Sequence, residues 1–179
     1  MVRKYIFVLI SLLMLSCFST KNIYKKDRFK TSRFKIKPNF NNNLSNIIDT
    51  SSFYLKVKIN NEDSIQGEYI KDKGQGLKFY KEGRVAFFDG VNLFNSKTLD
   101  PRKARMGYFE FEKEFFLIES ILPGPHRAFY LSREELLLNE SYGDTLVIKT
   151  YESPQGSEVI RKYLKETIPK EALIYKPDW

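Results

Sequence analysis

Apolar and polar side chains begin to alternate at Phe53, and the alternation recurs along the chain to about residue 164. Phe53, Leu55, Val57 and Ile59 alternate with Tyr54, Lys56, Lys58 and Asn60, the period of a strand with one buried face. Asn60-Asn61-Glu62-Asp63 supplies a turn, Ile65 to Lys71 a second run, and Leu77 to Tyr80 a third. Lys81-Glu82-Gly83 joins that run to Arg84-Val85-Ala86-Phe87-Phe88, which predicts a hairpin. Residues 91–105 are polar and basic, with Pro101 as a breaker, and read as a loop. Gly107 to Glu112 and Phe115 to Glu119 predict a second hairpin, and Pro123-Gly124-Pro125 then interrupts regular structure. Further runs follow at Arg127 to Arg133, Leu136 to Leu138 and Thr145 to Tyr151. In the last run Val159, Ile160, Tyr163 and Leu164 fit both a helix started by Ser157 and a closing strand. At least seven short strands separated by turns, with no βαβ spacing, predict an all-β domain over residues 48–179. It reads as a single small antiparallel barrel or half-barrel, with one C-terminal helix left open.

The N-terminus has a different pattern. Arg3 and Lys4 precede an apolar run from Tyr5 to Leu15, then small Ser16 and Cys17, the only cysteine of the chain. This is the anatomy of a secretory signal over residues 1–16, too short for a spanning helix, which needs about 20 apolar residues. Met14-Leu15-Ser16-Cys17 resembles a bacterial lipobox. That resemblance implies cleavage before Cys17, attachment of acyl chains such as palmitate to it, and a place in the bacterial cell envelope, at the outer membrane. With no second cysteine, core packing has to hold the fold without disulfides.

Charge separates the next segment from the domain. Residues 18–49 hold eight basic and two acidic residues, whereas residues 50–179 hold 20 of each, so the formal charge of +8 is concentrated at the N-terminus. Residues 17–47 therefore read as a lipid-anchored basic linker, a solvated coil that would span roughly 30 Å. Its Lys21, Lys25, Lys26 and Arg28 are candidates for contact with anionic headgroups, each worth about 1 kcal/mol near such a surface. Arg33-Phe34-Lys35-Ile36-Lys37 alternates within it and suits an edge strand ended by Pro38. An exported, membrane-attached chain is not expected to meet nucleic acid.

Several fragments also resemble a known group. Ile48-Asp49-Thr50 with Tyr54, Leu77-Lys78-Phe79-Tyr80-Lys81-Glu82-Gly83-Arg84-Val85, Met106-Gly107-Tyr108-Phe109, Asp144-Thr145-Leu146 and Pro177-Asp178-Trp179 are together similar to small uncharacterised Bacteroidota lipoproteins. The resemblance implies a lipocalin-like β-domain and brings no catalytic residues. Phe79-Tyr80-Lys81-Glu82-Gly83 also resembles one unit of a MORN-type repeat, but a repeat architecture needs about three copies.

Little catalytic chemistry is legible. His126 is the only histidine, which excludes a metal site built mainly on imidazole. Gly74-Gln75-Gly76 lies between predicted strands, without the helix that presents amides to phosphate. Glu110, Glu112 and Glu119 lie on or beside adjacent strands, where paired carboxylates can do acid–base work, but Glu110 and Glu112 read as a solvated strand face opposite Phe109 and Phe111. No cofactor or metal is expected. Phe79, Phe87, Phe109, Phe111, Phe115 and Phe129 either fill the interior or line a cavity for an apolar ligand. The expectation is a non-catalytic, lipid-anchored envelope protein binding a protein partner or a small apolar ligand. The alternatives are an enzyme acting on envelope glycan or lipid through carboxylates, and a structural accessory subunit of an envelope complex.

Overall fold

The computed structural model describes residues 19–39, 47–59, 69–112, 115–124, 128–141, 143–152 and 157–179. Cys17, the signal region and His126 lie outside these residues. Two short strands, β1 (Thr20–Lys21) and β2 (Asp27–Arg28), form a hairpin of their own. The remaining eight are β3 (Phe53–Ile59), β4 (Tyr69–Tyr80), β5 (Arg84–Phe88), β6 (Arg105–Glu112), β7 (Phe115–Pro123), β8 (Phe129–Leu136), β9 (Thr145–Glu152) and β10 (Ser157–Glu166). Each pairs antiparallel with its neighbour in sequence, and β10 also pairs with β3, so the sheet closes into an up-and-down barrel.

The last segment is thus a strand, and the helical reading of it is corrected. Strand pairing on both sides decides the matter: Leu164 sits opposite Thr145 of β9 and Leu55 of β3. Alternation then sends Tyr163 inward, where it joins the interior cluster.

The interior holds Tyr54, Leu77, Phe79, Val85, Phe109, Phe116, Ile118, Leu136, Leu146 and Ile148, all buried. Its densest part is a group of aromatic rings. Phe79 meets Phe109 and Phe116 edge-on at 5.4 and 6.0 Å, Phe109 stacks on Phe116 at 5.2 Å, and Tyr54 meets Phe79 edge-on at 5.5 Å. Ile48, with Ile47 and Leu138 packed beside the cluster, closes this end of the barrel.

The outer wall is apolar as well, and it is covered. Residues 89–104 and the C-terminal segment after β10 pack Leu99, Ala104, Ile168 and Ala172 against Phe53, Leu55, Ala86 and Phe88. Beside them runs the N-terminal segment, which is no free linker over residues 19–39. Phe29, Phe34 and Ile36 are buried against Met106, Tyr108 and Ile121 on the outer face of β6 and β7. The expected alternation of residues 33–37 is present, but the segment does not join the sheet. Its backbone bonds to side chains instead: Lys35 N–H and Ile36 N–H donate to Glu119 Oε2 at 2.7 and 3.1 Å, and Lys37 N–H to Glu110 Oε2 at 3.0 Å. Glu119, fully buried, also accepts from Arg133 directly across on β8. At the end of this strap, Asn39 N–H bonds Phe109 C=O over Gly83. Gly83 has φ +71°, and a Cβ there would meet Asn39 N at 2.5 Å, so only glycine fits.

Arg28 ties the strap down and is 7% exposed, so its expected role at a membrane surface is corrected. Nε donates to Asp178 Oδ1 at 2.7 Å. The two terminal nitrogens reach the carbonyls of Asp27, Ala104, Pro101 and Arg102 at 2.9–3.5 Å. The guanidinium also lies 4.8 Å from the Trp179 ring. All five N–H donors are thereby engaged, which offsets the cost of burying the charge. Lys21, Lys25 and Lys26 stay exposed on the β1–β2 hairpin.

We expect Arg28→Met to cost about 3 kcal/mol, because it strands the Asp178 carboxylate and four carbonyls. Thermal unfolding measures that loss. Limited proteolysis should show cleavage within residues 19–39 while the barrel remains intact, and an unchanged digestion pattern would contradict the clamp.

Candidate functional site

Opposite the aromatic plug, the barrel interior changes character. On β3, β6, β8 and β10 inward positions toward that end carry Lys56, Arg105, Glu134 and Arg161. They line one cavity of about 410 Å³ together with Gln75, Ser132, Thr150 and Tyr163. Leu77, Phe87, Leu122 and Tyr130 supply its apolar wall, and Asp89 lies at its rim.

Parity brings these groups together. Tyr54 and Lys56 point inward on β3, as do Phe109, Gly107 and Arg105 on β6, Leu136 and Glu134 on β8, and Tyr163 and Arg161 on β10. The β3–β4 register slips between Leu55 opposite Gly76 and Val57 opposite Lys71. This irregularity brings Gln75 to Lys56, whose Nζ donates to Gln75 Oε1 at 3.2 Å.

The three cations are held differently. Arg161 Nη1 donates to Thr150 Oγ1 at 2.7 Å. Arg105 lies flat over the Phe87 ring, 3.9 Å from its centre, and donates through Nη1 to Ser120 Oγ. Gly107 makes room for Phe87, since a Cβ there would stand 2.7 Å from the ring. Among the described residues Ser120 is the only hydrogen-bond acceptor that Arg105 engages, so most of its guanidinium donors face the cavity. Glu134, 5% exposed, has no hydrogen-bond partner among the described residues.

Burial acts on both signs of charge. It pushes the Glu134 carboxyl above the usual carboxylate range, with the positive charge of Arg105 and Arg161 pulling the other way. It lowers the Arg105 guanidinium, which Glu134 and Asp89 oppose, and it raises the Tyr163 phenol far above the ordinary value. Among the described residues, Lys56, Arg105 and Arg161 converge on the cavity with Glu134 buried among them and Asp89 at the rim. Such a cavity can hold a carboxylate or phosphate by charge-assisted hydrogen bonds, with aromatic rings beside it.

The phenylalanines expected to line a cavity divide into three sets. Phe79 and Phe109 are fully buried in the plug, and Phe111 packs against it, so these three fill the interior. Phe87 lines the cavity, beneath Arg105. Phe115 and Phe129 are 56% and 40% exposed on the outside, and their expected place inside is corrected. Both are odd-numbered positions on strands whose even-numbered residues face in, and Phe129 meets Phe29 of the strap edge-on at 5.1 Å. Lys56, Arg105, Glu134 and Arg161 went unrecognised in the sequence. The signal available was a charged residue at an inward position in each of four alternating runs. Among the described residues no three His, Cys, Asp or Glu side chains gather as a metal site, and no helix is long and apolar enough to cross a membrane.

The carboxyl of Glu134 gives a signed pH dependence. Because its folded-state pKa is raised, its contribution to stability is present below about pH 4.5 and is lost as pH rises through the raised value. Arg105, Arg161, Lys56, Tyr163 and Asp89 face it across the cavity. Glu134→Gln should therefore gain stability relative to the unchanged protein as pH rises from 4 to 8, measured by denaturant unfolding. Parallel profiles would show that the carboxyl titrates normally. Comparison of the chain with protein-family models, curated proteins and solved structures finds no match, so the site is read from its own chemistry.

Proposed function

We propose that this is a non-catalytic binding protein of the bacterial cell envelope, anchored by lipid on Cys17, whose barrel takes a small anionic ligand at its charged end. The observation that carries the reading is the convergence of Lys56, Arg105 and Arg161 on one cavity, with Glu134 the one buried carboxylate among its described lining residues. An apolar ligand occupying the whole barrel is a weaker reading, because Phe79, Phe109 and Phe116 fill the space it would need. The ligand is instead anionic at one point and makes apolar contact with Phe87, Leu122 and Tyr130. The anchor reading rests on the apolar run ending at Ser16-Cys17.

A second reading has one observation in its favour. Glu134, with its raised pKa in a cleft, has the form of a general acid, and Asp89 is the other carboxylate among the described lining residues. Binding accounts for the cations, which acid catalysis on a neutral glycan does not require.

Arg105→Gln and Arg161→Gln should each weaken binding of an anionic probe such as glycerol 3-phosphate by about tenfold to a hundredfold, read by calorimetry. Affinity should rise as pH falls and Glu134 takes a proton, and Glu134→Gln should flatten that rise. Probe affinity indifferent to both arginines would overturn the anion-binding reading, and hydrolysis of envelope glycan abolished by Glu134→Gln would establish the enzymatic one. For the anchor, Cys17→Ser should leave an uncut precursor that incorporates no labelled fatty acid.

A further inference from the structure

The strap runs in one direction along the barrel. It starts beside the charged end: Ser19 Oγ donates to Asp27, and the neighbouring Arg28 is fixed to the carbonyls of Arg102 and Ala104, immediately before β6 begins at Arg105. It finishes at the plugged end, where Asn39 bonds Phe109. Cys17 precedes Ser19 by two residues, and two residues of extended chain reach at most about 7 Å. The attachment point is therefore confined to the end of the barrel that holds the cavity, within a much smaller radius than a 31-residue coil would allow. Exposed Lys21, Lys25 and Lys26 lie on the hairpin at that end, with Lys26 beside Phe88, Asp89 and Lys103. Ile23, 76% exposed, projects from the same hairpin.

The interior sets the polarity of what can bind. Lys56, Arg105 and Arg161 lie between the mouth and the aromatic plug, and Phe79, Phe109 and Phe116, fully buried, pack together in the interior beneath them. A molecule with one anionic group and a long hydrocarbon chain can place the charged group inside only by leaving its chain outside.

We propose that the barrel sits mouth-down on the membrane that carries its anchor, and that Arg105, Arg161 and Lys56 take the anionic headgroup of a membrane amphiphile whose acyl chain stays in the bilayer. The proposal rests on the anion-binding reading of the cavity and on acylation of Cys17. The lysines of the β1–β2 hairpin contact the surface around the mouth, and the plugged end faces away. The orientation is the reverse of tail-first burial in a hollow barrel, and it follows from the order plug, cations, mouth, anchor along the molecule.

Two measurements on the full lipidated protein test this. Acylation occupies the Cys17 thiol, so one added cysteine labels uniquely: Lys103→Cys at the mouth end and Asn139→Cys at the plugged end. In vesicles with brominated acyl chains, a fluorophore at 103 should be quenched strongly and one at 139 not at all; equal or reversed quenching overturns the orientation. In nanodiscs of phosphatidylcholine containing phosphatidic acid, native mass spectrometry should find one phosphatidic acid retained per chain. That retention should fall at least tenfold in Arg105→Gln and Arg161→Gln, and Arg161→Lys, which keeps the charge, should preserve part of it. Retention of phosphatidic acid that ignores these substitutions overturns the headgroup site. Arginine-dependent binding of free glycerol 3-phosphate without retention of phosphatidic acid overturns the membrane source and leaves the anion site standing. Binding of neither probe overturns the anion site itself.

Discussion

Closure of the eight-stranded sheet is the constraint on which the rest depends. Once β10 pairs with both β9 and β3, no edge is left, and the face that each residue takes follows from its parity. Four charged residues far apart in sequence, Lys56, Arg105, Glu134 and Arg161, then share one cavity. Burying them there works against the fold, and the barrel tolerates it because Ser120, Thr150 and Gln75 each accept a hydrogen bond from one of the three cations.

The barrel is divided along its axis. At one end aromatic rings pack edge-to-face and stacked, as in an ordinary core. At the other the inward positions turn polar while the walls stay apolar. This division separates holding the fold from presenting charge, and it gives the molecule two ends of different chemistry.

Around the barrel lies a second layer. The strap, residues 89–104 and the C-terminal segment cover outer faces that would otherwise expose Phe53, Phe88, Met106 and Tyr108. Arg28 is where the three meet, since one guanidinium holds the carbonyls of Pro101, Arg102 and Ala104, the Asp178 carboxylate and the Trp179 ring. The chain before β3 and the chain after β10 are thus fastened together on the barrel surface, and the position of the N-terminus is set by packing.

Much of the wall was legible in local pattern. Phe53 to Ile59, the hairpin around Glu82-Gly83 and the paired runs at 107–112 and 115–119 announced strands because alternation and turn residues act over a few positions. The buried strap was not legible: Phe29, Phe34 and Ile36 are sparse among Lys, Arg and Asn, and their burial depends on Met106, Tyr108 and Ile121 lying opposite. A hint existed in β6 and β7, which are apolar on both faces and so need a cover outside the barrel. The placement of Phe115 and Phe129 failed for a related reason, since aromatic content says nothing of parity. What the sequence determined by itself was the all-β class, most strand positions, and the apolar run ending at Ser16-Cys17. Only the tertiary structure decided that residues 157–166 close the barrel, that Arg28 is buried, and that Lys56, Arg105 and Arg161 share a cavity with Glu134, because each requires contacts between segments whose separation along the chain no local period encodes.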